Sequence, residues 1–298
     1  LLSVLIPNQV IRNVKKNISL LAFLSSIISL IYVCYQTFIL ELPRSLWGIN
    51  AIPYTTLIAT VVIILVGDIF LNKSNETKLM AIAGSLVALS ALIIGETRGN
   101  ILALAVALSV LFLVVGIKNK AFIYSCLIAI LLVSAVSFHQ IQQRYVETKQ
   151  EILNTAHGKF NNSIGNRIQM WKAGIEISKD PTIFGLGNHH IEVKEKLYKQ
   201  GKIPKNTVRY KHYHNQYLTA FITKGITGLL ALILILGYPV YSYLKNRNNY
   251  NLIAILCSTI YAIAGLTDIP LSQPHSLIFY LVILLLLCNS DERNANSV

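Results

Sequence analysis

The stretch "AIPYTTLIATVVIILVGDIFL", residues 51–71, carries one charge, Asp68, near its end. A helix of that length crosses the roughly 30 Å hydrocarbon core of a bilayer. Seven further apolar runs approach the same length, near 18–40, 79–95, 99–117, 121–138, 216–244, 251–268 and 275–288, the last one short. Composition agrees: 54% of residues are hydrophobic, 13% are charged and the mean hydropathy is +0.55, whereas soluble domains sit nearer ~25% charged. The predicted fold is all-α, a polytopic transmembrane helical bundle of about eight spans. Its organisation divides into five spans over 1–138, a large, mostly helical loop over 139–215, and three spans over 216–298.

The formal charge of +13 would suggest a nucleic-acid partner in a soluble protein. Here it follows topology. Arg12, Lys15 and Lys16 precede the first span, Lys73 and Lys78 follow the second, Lys118 and Lys120 the fourth, and Lys245 and Arg247 the sixth, with Arg293 near the end. All fall on one side if the spans alternate, while the short loops opposite hold only Arg44 and Arg98, a positive-inside pattern. The 139–215 loop is therefore expected to be extracytoplasmic. It carries thirteen Lys and Arg against six Asp and Glu, an excess that suits an anionic ligand. No nucleic-acid partner is expected.

Cys34, Cys126, Cys257 and Cys288 lie inside apolar runs without a CxxC spacing, so neither a disulfide framework nor a metal site is indicated. The first long apolar run is followed by more spans, so it reads as a span and not as a cleavable signal. The chain opens "LLSVLIP" without Met, which suggests that further spans precede it.

Within the loop, "NRIQMWKAGIEIS" (166–178) predicts a helix capped by Asn166 with Ile168, Trp171 and Ile175 on one stripe. Asp180-Pro181 and two glycines then break it. A second helix is predicted over 189–200, opened by Asn188 and closed by Gly201. Polar residues gather on the extracytoplasmic side. Arg98, in "GETRGN", sits at a membrane-edge turn where a guanidinium needs water or a partner, and its planar fork suits a lipid-borne phosphate. Arg167 lies near a helix N-terminus, where backbone N–H groups favour anions. His212 and His214 share side-chain parity in an extended segment, and an imidazole is the natural base near neutrality. Asp268 ends a span on the same side, placed to pair with an arginine or to cap its turn. Lys224 falls inside the sixth apolar run, where snorkelling accounts for it only if the true span begins later.

His214-Asn215, nine residues, then Gly225-Ile226-Thr227-Gly228 resembles the signature of bacterial O-antigen ligases. Thr97-Arg98-Gly99 is similar to that family's Ser/Thr-Arg turn, and "GNRIQMWKAGIEISKDPTIFGLG" (165–187) to the start of its periplasmic arm. The resemblance runs from about residue 80 to the C-terminus. It implies a GT-C-like glycosyltransferase of the bacterial inner membrane with its site facing the periplasm. The implied reaction moves a glycan from undecaprenyl diphosphate to lipid A–core, inverting and without cofactor or metal. His214 is then the expected base. Arg98, Arg167, Arg209, His212, Asn215 and Asp268 are the expected substrate contacts. Two alternatives stay open: an O-antigen polymerase that extends the glycan on its carrier, and a transporter or flippase for polyprenyl-linked sugars.

Overall fold

A computed structural model of the chain describes residues 6–71, 78–115, 138–179 and 183–288. The described residues are helical, with no strand among them. In chain order the helices are α1 (Asn8–Lys16), α2 (Ile18–Cys34, continued by a π-helical turn Tyr35–Ile39), α3 (Ala51–Leu71), α4 (Lys78–Ile94), α5 (Arg98–Val115), α6 (Phe138–Ala156), α7 (Ser163–Ile177), α8 (His190–Lys199), the single turn α9 (Lys205–Val208), α10 (Gln216–Lys245), α11 (Asn249–Ala264) and α12 (Pro274–Cys288). Three are long and apolar enough to cross a membrane: Ile18–Ile39, Ala51–Phe70 and Gln216–Lys245. Four more of the predicted spans appear as shorter apolar helices, α4, α5, α11 and α12. The run 121–138, apart from Phe138, lies outside the described residues, as do Lys73, Lys118, Lys120, Asp180-Pro181 and Arg293.

The chain forms two compact units. The first comprises Leu1–Leu131, Leu236–Ala264 and Pro270–Val298; the second comprises Leu132–Ile235 and Gly265–Ile269. In the first, α4 packs against α2 and α3, and α5 against α11 and α3. The sequence permits this because α4 turns small residues inward: Ala81, Ala88 and Ala91 are fully buried. A Cβ on Gly84 would meet Phe23 and Leu65, and one on Gly95 would press on Thr55. Small residues let helix backbones approach closely where lipid removes the usual hydrophobic drive between helices. Asp68, the one charge of the opening stretch, is buried and accepts a 2.5 Å hydrogen bond from Ser19 Oγ.

The second unit has its own small core, in which Ile177 of α7 packs with Tyr213 and Ile222, flanked by Leu186, Val193, Leu197 and Leu218. α7 begins one turn earlier than predicted. Asn162, not Asn166, is the N-cap, its Oδ1 accepting from Gly165 N at 2.8 Å. The buried stripe is correspondingly Met170, Ala173, Gly174 and Ile177, while Ile175 is exposed. Gly174 is needed where it stands, since a Cβ there would strike Leu218 and Tyr213. α8 spans His190–Lys199 after a 3-10 turn at Gly187–His189, and Gly201 (φ 70) closes it in the left-handed region. Asn188 makes no cap bond, and the helix start is instead flanked by a His189–Glu192 contact of 2.8 Å.

Candidate functional site

Arg98 belongs to the first unit, where it is half-buried as the first residue of α5. Its neighbours fix the turn. Thr97 Oγ1 donates to Thr55 Oγ1 at 2.7 Å, and Asn100 Nδ2 donates to Thr55 Oγ1 at 2.6 Å and to Ile52 O at 2.8 Å. Thr56 Oγ1 donates to Asn100 Oδ1 at 3.1 Å. These buried groups satisfy one another, as buried polar groups must. Arg44, the other arginine of the short loops, donates from Nη1 to Glu96 O at 2.5 Å, and Glu96 sits at φ 51. The "GETRGN" turn is thus bolted to α3 on both sides of Arg98.

The remaining candidates, Arg209 aside, converge in the second unit on two segments, 210–216 and 265–268. The rings of His212 and His214 meet, with centroids 4.3 Å apart and planes at 84°, although the segment bends at 211, 212 and 214 and is not extended as expected. Tyr213 between them points the opposite way and is fully buried. His214 adopts φ 47, an uncommon conformation for a residue with a side chain and one that clusters at functional sites. Three contacts hold it there: its N–H donates to His212 Nδ1 at 3.2 Å, its carbonyl accepts from Trp171 Nε1 at 3.3 Å, and its ring lies edge-on to Tyr210 at 5.6 Å.

Asp268 faces this ring. Its Oδ1 lies 3.4 Å from His214 Nδ1, within ion-pair range but not a directed hydrogen bond, which leaves Nδ1 a buried polar atom without one. Loose geometry of this kind is common in unliganded sites and tightens on the reaction path. Asp268, expected to pair with an arginine or to cap its turn, instead faces a histidine. Three donors suspend the segment before it: Gln216 N reaches Gly265 O at 2.7 Å, Asn215 Nδ2 reaches Leu266 O at 3.2 Å, and Arg167 Nε reaches Thr267 O at 3.0 Å. Arg167 also donates from Nη1 to Ser163 Oγ at 2.5 Å. Asn215 uses Oδ1 to cap α10 through Leu218 N at 2.9 Å. Arg209 is exposed at the C-cap of α9. His212, His214 and Asp268 form the one group of three or more His, Cys, Asp or Glu among the described residues whose ligand atoms lie mutually within 4.8 Å.

Lys194 was not singled out by the sequence. It is fully buried, donates from Nζ to Tyr210 O at 2.8 Å and sits 4.0 Å over the Tyr213 ring. A desolvated cation over an aromatic face gains about 2 kcal/mol. His190 Nδ1 lies 3.0 Å from Tyr213 Oη. Burial pushes Lys194 down to about 8 and the Tyr213 phenol up. Burial also takes His190 down to about 4, with Lys194 adding to the effect. His212 falls to about 4 through burial first, then through the charges of His214 and Lys194, with Asp268 opposing. Its Nδ1 accepts from a backbone N–H, which assigns the proton of the neutral ring to Nε2.

These shifts set a direction for stability. Between pH 6.5 and about 4 the unfolded chain takes up protons that folded His190 and His212 refuse. Their contribution is fully present above pH 6.5 and is lost as pH falls across that window. Urea midpoints followed by tryptophan emission should therefore drop from pH 6.5 to 4, and less steeply in His212→Gln. A flat profile in that window would contradict the burial of these rings.

α10 breaks at Gly225, which adopts φ 67 and ψ −160, a region open essentially to glycine. The break frees backbone groups that the "IFGLG" segment (183–187) takes up: Leu186 N donates to Ile222 O at 2.8 Å and Thr227 N to Ile183 O at 3.3 Å. The approach is backbone to backbone. A Cβ on Gly185 would enter the Thr223–Gly225 backbone, one on Gly225 would enter the Ile183 carbonyl, and one on Gly228 would strike the Lys224 stem. Lys224 is exposed just before the break, so the uninterrupted apolar helix begins after it. Gly225→Ala should cost at least about 2 kcal/mol through backbone strain, and more through the clash. The readout is the thermal midpoint of the purified protein, and an unchanged midpoint would mean that the break is dispensable.

Residues 83–233, half of the chain, match the family model described as O-antigen ligase. An uncharacterized protein of Haemophilus influenzae is 30% identical over 203 residues, covering 65% of this chain and 51% of that protein. The chain thus spans about half the length of the curated relative it matches. The matched interval includes Arg98, Arg167, the histidine pair and Gly225–Gly228; Asp268 lies beyond it. The chain belongs to the O-antigen ligase family.

Proposed function

We infer that this member of the O-antigen ligase family is a membrane glycosyltransferase that moves a glycan from undecaprenyl diphosphate to a lipid A–core acceptor. The proposal includes the eight-span topology, the GT-C-like architecture, and an inner-membrane location with the site facing the periplasm. What carries it is the pairing of His214 Nδ1 with the buried Asp268 carboxylate. That pairing leaves Nε2 as the ring atom free to serve a substrate, the arrangement in which a carboxylate orients a histidine base. The acceptor hydroxyl gives its proton to Nε2 while its oxygen attacks the anomeric carbon. The bond from that carbon to the diphosphate breaks, and undecaprenyl diphosphate leaves with the electron pair. Attack opposite the leaving group inverts the anomeric centre.

Arg98 is assigned to the diphosphate, where a fixed cation offsets the charge that grows in the transition state. Arg209 and the Nε2–H of His212 are assigned to substrate contacts. Arg167 and Asn215 act by hanging the 265–268 segment so that Asp268 meets His214. The alternative within the family is a polymerase, since polymerase and ligase differ only in the acceptor. The test supplies full-length protein with undecaprenyl-diphosphate-linked glycan and lipid A–core, without nucleotide, and resolves products on a gel. Joined lipid A–core product supports the ligase. Chains that lengthen on the carrier while lipid A–core stays bare would make it a polymerase. Turnover of neither would overturn the transferase reading.

A further inference from the structure

The segment that fills the α10 break ends in an apolar tip that its own unit does not cover. Ile183 is 63% exposed and Phe184 78% exposed, while Leu186 two residues on packs into the core. No charge occurs between 183 and 187. Ile183 O accepts from Thr227 N at 3.3 Å and Leu186 N is bound to Ile222 O, so the backbone of the tip is held beside the first turn after Gly225.

That turn opens the membrane-spanning part of α10. Residues 226–245 are unbroken helix and measure about 30 Å, the thickness of the hydrocarbon core. Ile226, Leu230, Ile233 and Leu234 are 45–72% exposed at spacings that put them on one helix face, the face left for lipid. The exposed tip lies beside the start of this stripe, where Ile183 O meets Thr227 N, and the exposed Lys224 immediately precedes the break. Apolar side chains with a neighbouring lysine are what a headgroup boundary accepts, with the rings among the upper acyl carbons and the ammonium at the phosphates.

We propose that Ile183 and Phe184 form a bilayer-inserted anchor, whose partner is the headgroup–acyl boundary of the membrane beside α10. The proposal rests on reading α10 as a span and not on glycan transfer. It gives Gly185 and Gly225 a purpose beyond the turn: their missing side chains let the tip lie against the span closely enough to enter the same lipid.

The experiment uses full-length Phe184→Trp protein in vesicles of phosphatidylcholine and phosphatidylglycerol. The acyl chains are unbrominated, brominated near the headgroup, or brominated near the chain end. Subtracting the emission of the parent protein removes Trp47 and Trp171. The added emission should be blue-shifted and should lose more intensity to shallow bromines than to deep ones. Emission typical of water, with no intensity lost to bromine at either depth, would overturn the proposal. Emission that responds to protein density in the vesicle instead of to bromine would also overturn it, by assigning the tip to contact between copies. Because position 184 is largely exposed, Trp fits there without repacking the unit.

Discussion

His214→Asn in the full-length protein is expected to lower the rate of glycan transfer by roughly 10²–10⁴-fold, the usual contribution of a positioned base, with little change in thermal stability. Asn is the informative replacement because position 214 sits at φ 47, where Asn is tolerated far better than Ala. The Trp171 bond to the 214 carbonyl and the cap of α10 by Asn215 do not depend on the ring. The loss is therefore assigned to the imidazole and not to a collapsed turn. Donor binding, measured with a carrier-linked sugar, should stay within a few-fold of the parent, as expected when an interaction is made only in the transition state. A variant that keeps a tenth or more of the parent rate would remove His214 from the chemistry.

The parts of this site that were legible in the sequence are those fixed by local spacing. The sequence set His212 and His214 two residues apart, and the structure brings their rings to 4.3 Å through bends at 211, 212 and 214 and not along the extended segment expected. Gly201 ended α8 as a left-handed residue should, whereas Gly225 entered only as a motif position, and its close approach to the Ile183 backbone shows only in the structure. What the sequence hid depends on distant neighbours. Asn162 and Asn166 stand on either side of Gly165, and distant partners separate them: Asn162 bonds Thr155 and Lys159 while capping Gly165 N, whereas Asn166 accepts from Asn206. Lys194 reads as one more lysine on a charged helix until Tyr210 and Tyr213 close over it. Arg167 reads as an anion ligand because it lies near a helix start, and no spacing rule shows that its Nε also serves a carbonyl of another segment. Asp268 offered a carboxylate whose partner no spacing rule could choose among arginines and histidines.

Asp268→Asn is expected to lower transfer by about 10²-fold or more, less than or equal to the loss from His214, and chiefly in kcat. The carboxylate accepts from the ring Nδ1 as the imidazolium forms, whereas an amide can present its NH₂ group there and favour the wrong tautomer. The buried carboxylate also faces His212 through charge, opposing the depression of that ring, so its removal should leave His212 still more firmly neutral. A structural role for Asp268 predicts something else. If it only held the 265–268 segment, its loss would add to that of His214, because the two defects would act separately. Groups that work as one unit are non-additive, so His214→Asn/Asp268→Asn should be no slower than His214→Asn alone. The segment's three carbonyls keep their donors from Gln216, Asn215 and Arg167 in every variant, which keeps the comparison clean. Losses that multiply in the double variant would separate Asp268 from the base and return it to the turn.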